Sequence, residues 1–184
     1  VSFGEVWSTL IVSEYLKKVN LKVEWTDIRR LLITDNRFRD ANILWEKSEV
    51  QVKSHFNFER SPLFVTQGFI GGTETGKVST LGREGSDYTA AILANMLDAE
   101  CVVVWKDVPG LLNADPKWLP DAQRMDEISY KEAVEMTFSG AKVIHPKTIK
   151  PLHNKGIPLH VRSFLNPKDT GTVVKADESW AVPG

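Results

Sequence analysis

Three segments of the chain hold residue types that handle anions and nucleotides. The first, Thr80–Ala91 (TLGREGSDYTAA), is a glycine-containing loop running straight into a helical pattern. A helix N-terminus offers unpaired N–H groups and about half a positive charge, so it attracts anions. Gly82 and Gly85 permit a tight backbone that a ligand can approach closely. Arg83 can grip a carboxylate with two parallel hydrogen bonds. Asp87, in the first helical turn, can orient ammonium groups. Taken alone, the same residues also describe a capped helix with a solvated Arg and Asp.

The second segment, Lys106–Lys117 (KDVPGLLNADPK), follows an apolar run at 102–105. Ligands of parallel α/β sheets sit beyond the carboxyl ends of strands, so this loop is a candidate nucleotide rim. Its Pro-Gly and Asp-Pro pairs also suit an ordinary turn. The third, Ser139–Pro146 (SGAKVIHP), offers Lys142 to neutralise charge on a transferred phosphoryl group. The bland alternative is a surface lysine ahead of a Pro-started helix. His145 reads as a structural or capping residue.

The elements that position these segments follow from periodicity. Val6, Leu10, Ile11, Tyr15 and Leu16 recur at helical spacing between Gly4 and Val19. Val23–Trp25 reads as a short strand, Leu44–Phe58 as a second helix and Leu63–Val65 as a buried strand. Gly71, Gly72 and Gly76 read as a polar loop. A helix runs from Ser86, its expected N-cap, to Leu97, with Tyr88, Ala91, Ile92 and Met96 on one face. Val102–Trp105 is a β-branched run that suits a strand covered on both faces. Ser129 with Glu132 forms a capping box opening a helix through Phe138. A helix from Pro146 to Lys155 ends before Gly156, and Pro158–Ser163 is a strand. From Asn166 the chain is turn-rich and is expected to leave the domain. Strands alternating with helices predict an α/β fold, a mainly parallel sheet with helices on both faces, hence three αβα layers.

Composition narrows the function classes. The chain has 184 residues, 42% hydrophobic and 26% charged, which suits a packed domain and excludes disorder. A chain of this length can bury roughly 70% of its unfolded surface, with no need of a disulfide or metal staple. Lys plus Arg is 23 and Asp plus Glu is 24, a formal charge of −1. There is no bulk positive charge to draw nucleic acid or an anionic membrane. The six Trp residues form no ladder interleaved with basic residues. Cys101, the single cysteine, excludes an internal disulfide and reads as a buried small apolar residue. No apolar run nears the ~20 residues that span a bilayer, and no signal-peptide pattern is visible. A reducing, cytoplasmic location is expected. The chain opens at Val1 in what reads as the middle of an element, which suggests a piece of a longer protein.

The segments taken together resemble the aspartokinases of the amino-acid kinase superfamily. The resemblance rests on Phe3-Gly4-Glu5, Thr66–Gly71 (TQGFIG), Thr80–Ala91, Asp107-Val108-Pro109-Gly110, Asp115-Pro116, Asp126–Tyr130 (DEISY) and Gly140–Pro146 (GAKVIHP), in that order. The resemblance implies a carbamate-kinase-like fold and transfer of the ATP γ-phosphoryl group to the side-chain carboxylate of L-aspartate. The product would be 4-phospho-L-aspartate, which leads toward lysine, threonine and methionine. It implies that Glu5 binds the substrate amino group. Arg83, with the Glu84, Gly85 and Ser86 backbone, would bind the α-carboxylate. Asp87 would position charged groups around the phosphoryl. Lys106, Asp107, Leu112 and Lys117 would line the adenosine site, and Lys142 with Val143 would contact the phosphates. Mg2+ would be held through ATP and water, with no dedicated protein metal site. Residues 1–175 would be a partial kinase domain lacking its N-terminal phosphate loop, and 176–184 a linker toward regulatory domains. The full-length protein would be a homo-oligomer, and this piece alone inactive.

The chain departs from the family pattern in places. Glu84 stands where Gly is frequent, Leu112 where an aromatic is common, and Lys117 where Arg is common. Two alternatives are kept: another member of the superfamily, of the glutamate 5-kinase or UMP kinase type, and a non-catalytic domain of the same fold.

Overall fold

The computed structural model describes residues 2–115, 117–138 and 144–177. The chain divides into two compact units, Val1–Leu97 and Asp98–Gly184.

The first unit opens with helix α1 (Ser2–Lys18), which buries Val6 and Ser13. Strands β1 (Val23–Thr26) and β3 (Leu63–Thr66) pair in parallel, Val23 opposite Leu63 and Thr26 opposite Thr66. Between them lie a 3-10 turn (Ile28–Arg30), strand β2 (Ile33–Thr34) and helix α2 (Trp45–His55). Strands β4 (Ile70–Thr73) and β5 (Val78–Thr80) form a hairpin, and β2 pairs with β4 in parallel. Helix α3 (Gly85–Met96) closes the unit. Val6, Ile28, Leu32, Val52, Ile70, Leu81, Ile92 and Met96 share one apolar core.

Three expectations fail here. Strand β3 is not buried: Leu63 is exposed and Phe64, Val65 and Thr66 are half-buried. Gly71 and Gly72 are not in a loop; they are buried inside β4. The strand passes so close to the 3-10 turn that a Cβ on Gly72 would stand 2.1 Å from the Arg29 carbonyl oxygen. Composition reads these glycines as punctuation, whereas they permit a close backbone approach. Nor is Ser86 the N-cap of α3. The cap is Glu84, and the helix already begins at Gly85. Thr89 Oγ1 donates to the Gly85 carbonyl at 2.8 Å and the Tyr88 N–H to that of Glu84 at 3.1 Å, so helical bonding starts two residues early.

In the second unit β6 (Val102–Lys106), β8 (Leu159–Ser163), β9 (Thr172–Lys175) and β7 (Glu127–Ser129) stand side by side in that order. Helix α4 (Tyr130–Phe138) opens on the expected capping box. The Ser129 N–H donates to Glu132 Oε2 at 2.7 Å, and the Glu132 N–H to Ser129 Oγ at 3.2 Å. Helix α5 (Pro146–His153) is capped by His145, whose Nδ1 accepts from the Lys147 N–H at 3.2 Å. His145 is thus the capping residue the sequence suggests.

Three expectations need correction in this unit. Strand β6 is covered on one face only: Val102 and Val104 are buried, while Val103 and Trp105 are 39% and 46% exposed. Its inward residues Val102 and Val104 stand opposite Leu159 and Val161, both buried, so a β-branched run here reflects one packed face and strand propensity. Cys101 is exposed, not buried; it sits just before β6, where Val102 takes the inward position. The chain after Asn166 does not leave the domain. It turns back and inserts β9 between β8 (antiparallel) and β7 (parallel). Its turn-rich residues 166–171 are the short connection an antiparallel pair allows.

Of the six pairings between named strands, four are parallel. The mainly parallel α/β pattern is therefore present, distributed over three sheets among the described residues instead of one.

Candidate active site

The loop from Gly82 to Asp87 is held from three sides within the first unit. Upstream, the Thr80 N–H donates to the Phe38 carbonyl and the Ala41 N–H to that of Thr80, both at 2.9 Å. The segment around Asp40 thereby lies against Gly82. A Cβ on Gly82 would sit 2.3 Å from Asp40 Oδ1, and its φ is +82°. The left-handed φ favours glycine there, while the Asp40 carboxylate is a side-chain tip that could shift. Behind the loop, the Leu81 N–H donates to the Phe69 carbonyl at 2.8 Å, and the Phe69 N–H to Thr89 Oγ1 at 3.0 Å. Gly68 lies against the first turn of α3, where a Cβ would come within 2.8 Å of the Ser86 Cα.

This anchoring leaves Arg83 and Ser86 exposed at the mouth of the helix. Asp87 lies in the first turn. Glu84 is held at φ +53°, a left-handed conformation that costs a non-glycine residue about 1–2 kcal/mol. Glycine is free of that penalty. One carboxylate oxygen of Glu84, Oε2, is buried with no hydrogen-bond partner. Burial, with the Asp40 carboxylate nearby, holds the Tyr88 hydroxyl above its usual range. The exposed Arg83 guanidinium and the first turn of α3 thus stand beside the carboxylates of Glu84 and Asp87.

Glu5 stands half-buried in the first turn of α1. Its carbonyl accepts from Thr9 Oγ1 at 3.0 Å. Thr9 in turn joins Trp25 and Gln67, two residues to which the sequence reading assigns no role.

The second unit holds the other candidates. Lys106 is the last residue of β6 and Asp107 follows it, exposed, beyond the strand end. Leu112 pairs with Arg124 across an antiparallel bridge. The Asn113 N–H donates to the Gln123 carbonyl and the Met125 N–H to that of Leu111. The loop is therefore a hairpin-like excursion pinned at its base. Lys117 is exposed near its tip, where its N–H donates to Asp115 Oδ1 at 2.9 Å. Thr172, fully buried, supplies the pin. Its Oγ1 accepts from the Leu111 N–H at 2.8 Å and donates to the Met125 carbonyl at 2.6 Å. Thr172 lies in the tail the sequence reading sent out of the domain, so this role has no signal in the motif strings. Lys142 and Val143 lie outside the described residues. Among the described residues no group of three His, Cys, Asp or Glu side chains could hold a metal ion, and no helix is long and apolar enough to cross a membrane.

A family model described as the amino acid kinase family matches residues 1–163. The chain belongs to the amino acid kinase family. Within it, the sequence is 43% identical over 178 residues to lysine-sensitive aspartokinase 3 of Escherichia coli, covering 95% of this chain and 39% of that one. A crystal structure of E. coli aspartokinase III in complex with aspartate and ADP superposes with a TM-score of 0.90 at 40% identity, covering 96% of this chain and 40% of that one. The chain thus spans about two fifths of the length of these aspartokinase relatives. UMP kinase of Bacillus anthracis shares the fold, with a TM-score of 0.62 at 16% identity, over 95% of this chain and 67% of that one. The α/β kinase fold expected from the sequence is the fold of this family.

Proposed function

We propose that this chain is the part of an ATP-dependent aspartate kinase that carries most of its amino-acid and nucleotide contacts. The observation that supports it best is the likeness, at 40% identity and a TM-score of 0.90, to an aspartokinase whose structure contains aspartate and ADP. That likeness covers 96% of this chain, whereas likeness to a UMP kinase at 16% reaches the fold alone.

In this reading Glu5 accepts from the ammonium group of L-aspartate. Arg83 and the backbone N–H groups of Glu84, Gly85 and Ser86 bind its α-carboxylate, and Asp87 orients the charged groups about the reacting centre. Lys106, Asp107, Leu112 and Lys117 line the adenosine site. Lys142 and Val143 contact the phosphates. The nucleophile is the side-chain carboxylate of aspartate, which is already ionised at neutral pH, so no general base is needed. One of its oxygens forms a bond to the γ-phosphorus as the bond from that phosphorus to the β,γ-bridging oxygen breaks, leaving ADP. The protein supplies alignment and charge neutralisation, with Lys142 countering the charge on the moving phosphoryl group. Mg2+ enters with ATP, held mainly by phosphate oxygens and water.

Residues 1–175 belong to the catalytic domain in this reading, and 176–184 lead out of it. The full-length protein works in the cytoplasm as a homo-oligomer and opens the route to lysine, threonine and methionine. The test is ADP release by the full-length protein with MgATP and, in separate arms, aspartate, glutamate or UMP. Aspartate alone is expected to support turnover. Turnover with glutamate or UMP and none with aspartate would overturn the assignment.

A further inference from the structure

Glu5 stands on α1 and Arg83 on the loop before α3, and a partly buried polar relay joins the two supports. Thr9, one helical turn after Glu5, shares its hydroxyl hydrogen between the Glu5 and Val6 carbonyls, each at 3.0 Å. The same oxygen accepts from Trp25 Nε1 at 3.0 Å and from Gln67 Nε2 at 2.9 Å. A hydroxyl has one donor and two acceptor sites, so Thr9 is fully used. Gln67 is fully buried, and its Oε1 accepts from the Ile28 N–H at 2.9 Å. An N–H can only donate, so the amide is fixed with its oxygen on Ile28 and its nitrogen on Thr9.

The two residues after Gln67 carry the connection onward. Gly68 abuts Ser86, and Phe69 bonds through its N–H to Thr89 and through its carbonyl to the Leu81 N–H. From Glu5 to the Arg83 loop there is thus an unbroken path of directional contacts: α1, Thr9, Gln67, the 68–69 turn, α3. An apolar residue of glutamine's volume would fill the same space without the desolvation of an amide. It would not set the rotation of α1 about its own axis, because apolar packing is not directional and hydrogen bonds are.

We propose that Thr9 and Gln67 are positioning residues that aim Glu5 relative to the Arg83 loop, so that the ammonium and α-carboxylate of one amino acid are met together. This rests on the reading of Glu5 and Arg83 as the two ends of an aspartate site. The experiment compares Thr9→Val, which keeps the shape and loses the hydroxyl, with Thr9→Ser, which keeps the hydroxyl, in the full-length protein. Thr9→Ala, helped by its own helix propensity, serves as the deletion if Thr9→Val does not fold. Two readouts are taken: KM for aspartate and for ATP, and hydrogen exchange at the Phe69 and Leu81 amides.

Thr9→Val is expected to raise the aspartate KM about five- to tenfold, the equivalent of one neutral hydrogen bond, with the ATP KM unmoved. Exchange at Phe69 and Leu81 accelerates, and Thr9→Ser returns both readouts toward wild type. Equal KM values in Thr9→Val and wild type, a joint rise of both KM values, or Thr9→Ser behaving like Thr9→Val would overturn the proposal. A wild-type protein that does not phosphorylate aspartate overturns the functional reading alone. The exchange arm then decides the relay, and unchanged protection in Thr9→Val rejects it.

Discussion

Gly68 and Ser86 touch across the base of the Arg83 loop: a Cβ on Gly68 would come within 2.8 Å of the Ser86 Cα and Cβ. The near neighbour is helix backbone, not the tip of a flexible side chain, so it cannot swing aside. Gly68→Ala is therefore expected to displace the first turn of α3. Overpacking of this kind costs about 1–3 kcal/mol. Denaturant unfolding of the full-length protein should show that loss, and saturation kinetics should show a raised aspartate KM. An alanine variant with wild-type stability and KM would mean that the contact does not set the loop.

That contact shows how much of the site was legible in the sequence. Gly82, Arg83, Gly85 and Asp87 announce a loop opening a helix, and the Ser129–Glu132 box and the His145 cap are local patterns that appear as read. What was not legible depends on distant neighbours. Gly72 is a strand residue because Arg29 passes close by. Glu84 displaces Ser86 as the cap because helical bonding in α3 starts two residues earlier, with the Tyr88 N–H on the Glu84 carbonyl. Strand β9 and its Thr172 pin follow turn residues that, without the partner strands in view, look like an exit from the domain. Gln67 stands inside a string that carries the family resemblance, yet its work is a bond to a residue 58 positions away.

Glu84 carries two local costs, a left-handed φ of +53° and a buried carboxylate oxygen with no partner. Glu84→Gly removes both. Glycine loses more chain entropy on folding, which offsets part of the gain, by roughly 0.5–1 kcal/mol. The net expectation is a rise in stability of roughly 1 kcal/mol, read as a higher denaturation midpoint. A lower midpoint would show that the Glu84 carboxylate has a stabilising contact of its own.

Thr172 tests the nucleotide side. Thr172→Val keeps the shape and strands the buried Leu111 N–H, at about 1–3 kcal/mol, and the half-buried Met125 carbonyl, at less. The hairpin carrying Leu112 loosens. The ATP KM is expected to rise several-fold while the aspartate KM stays near wild type. A rise in the aspartate KM alone would contradict this division of labour.

Burial pushes the Tyr130 hydroxyl up to about 12, and that hydroxyl donates to the Ile157 carbonyl. Below about pH 10 the tyrosine is neutral in folded and unfolded chains alike, and its contribution to stability is complete. Between about 10 and 12 the unfolded chain ionises while the folded chain does not, so stability falls as pH rises through that window. Tyr88, raised by burial and Asp40, adds in the same direction. Tyr130→Phe should flatten part of the decline while lowering stability at neutral pH by about 1 kcal/mol, the worth of the lost hydrogen bond. Unfolding midpoints measured across the alkaline range check both effects. An unchanged alkaline slope would show that Tyr130 is not its source.

The most direct test of the central claim is the kcat/KM for aspartate of full-length wild type and Arg83→Ala, followed as ADP release. A bidentate, charge-assisted grip on the α-carboxylate is worth about 1.5–3 kcal/mol, so its loss should lower kcat/KM about 10- to 100-fold with the ATP KM unmoved. Arg83→Lys should recover only part of that, since an ammonium lacks the planar fork. An Arg83→Ala enzyme as efficient as wild type on aspartate would contradict the account.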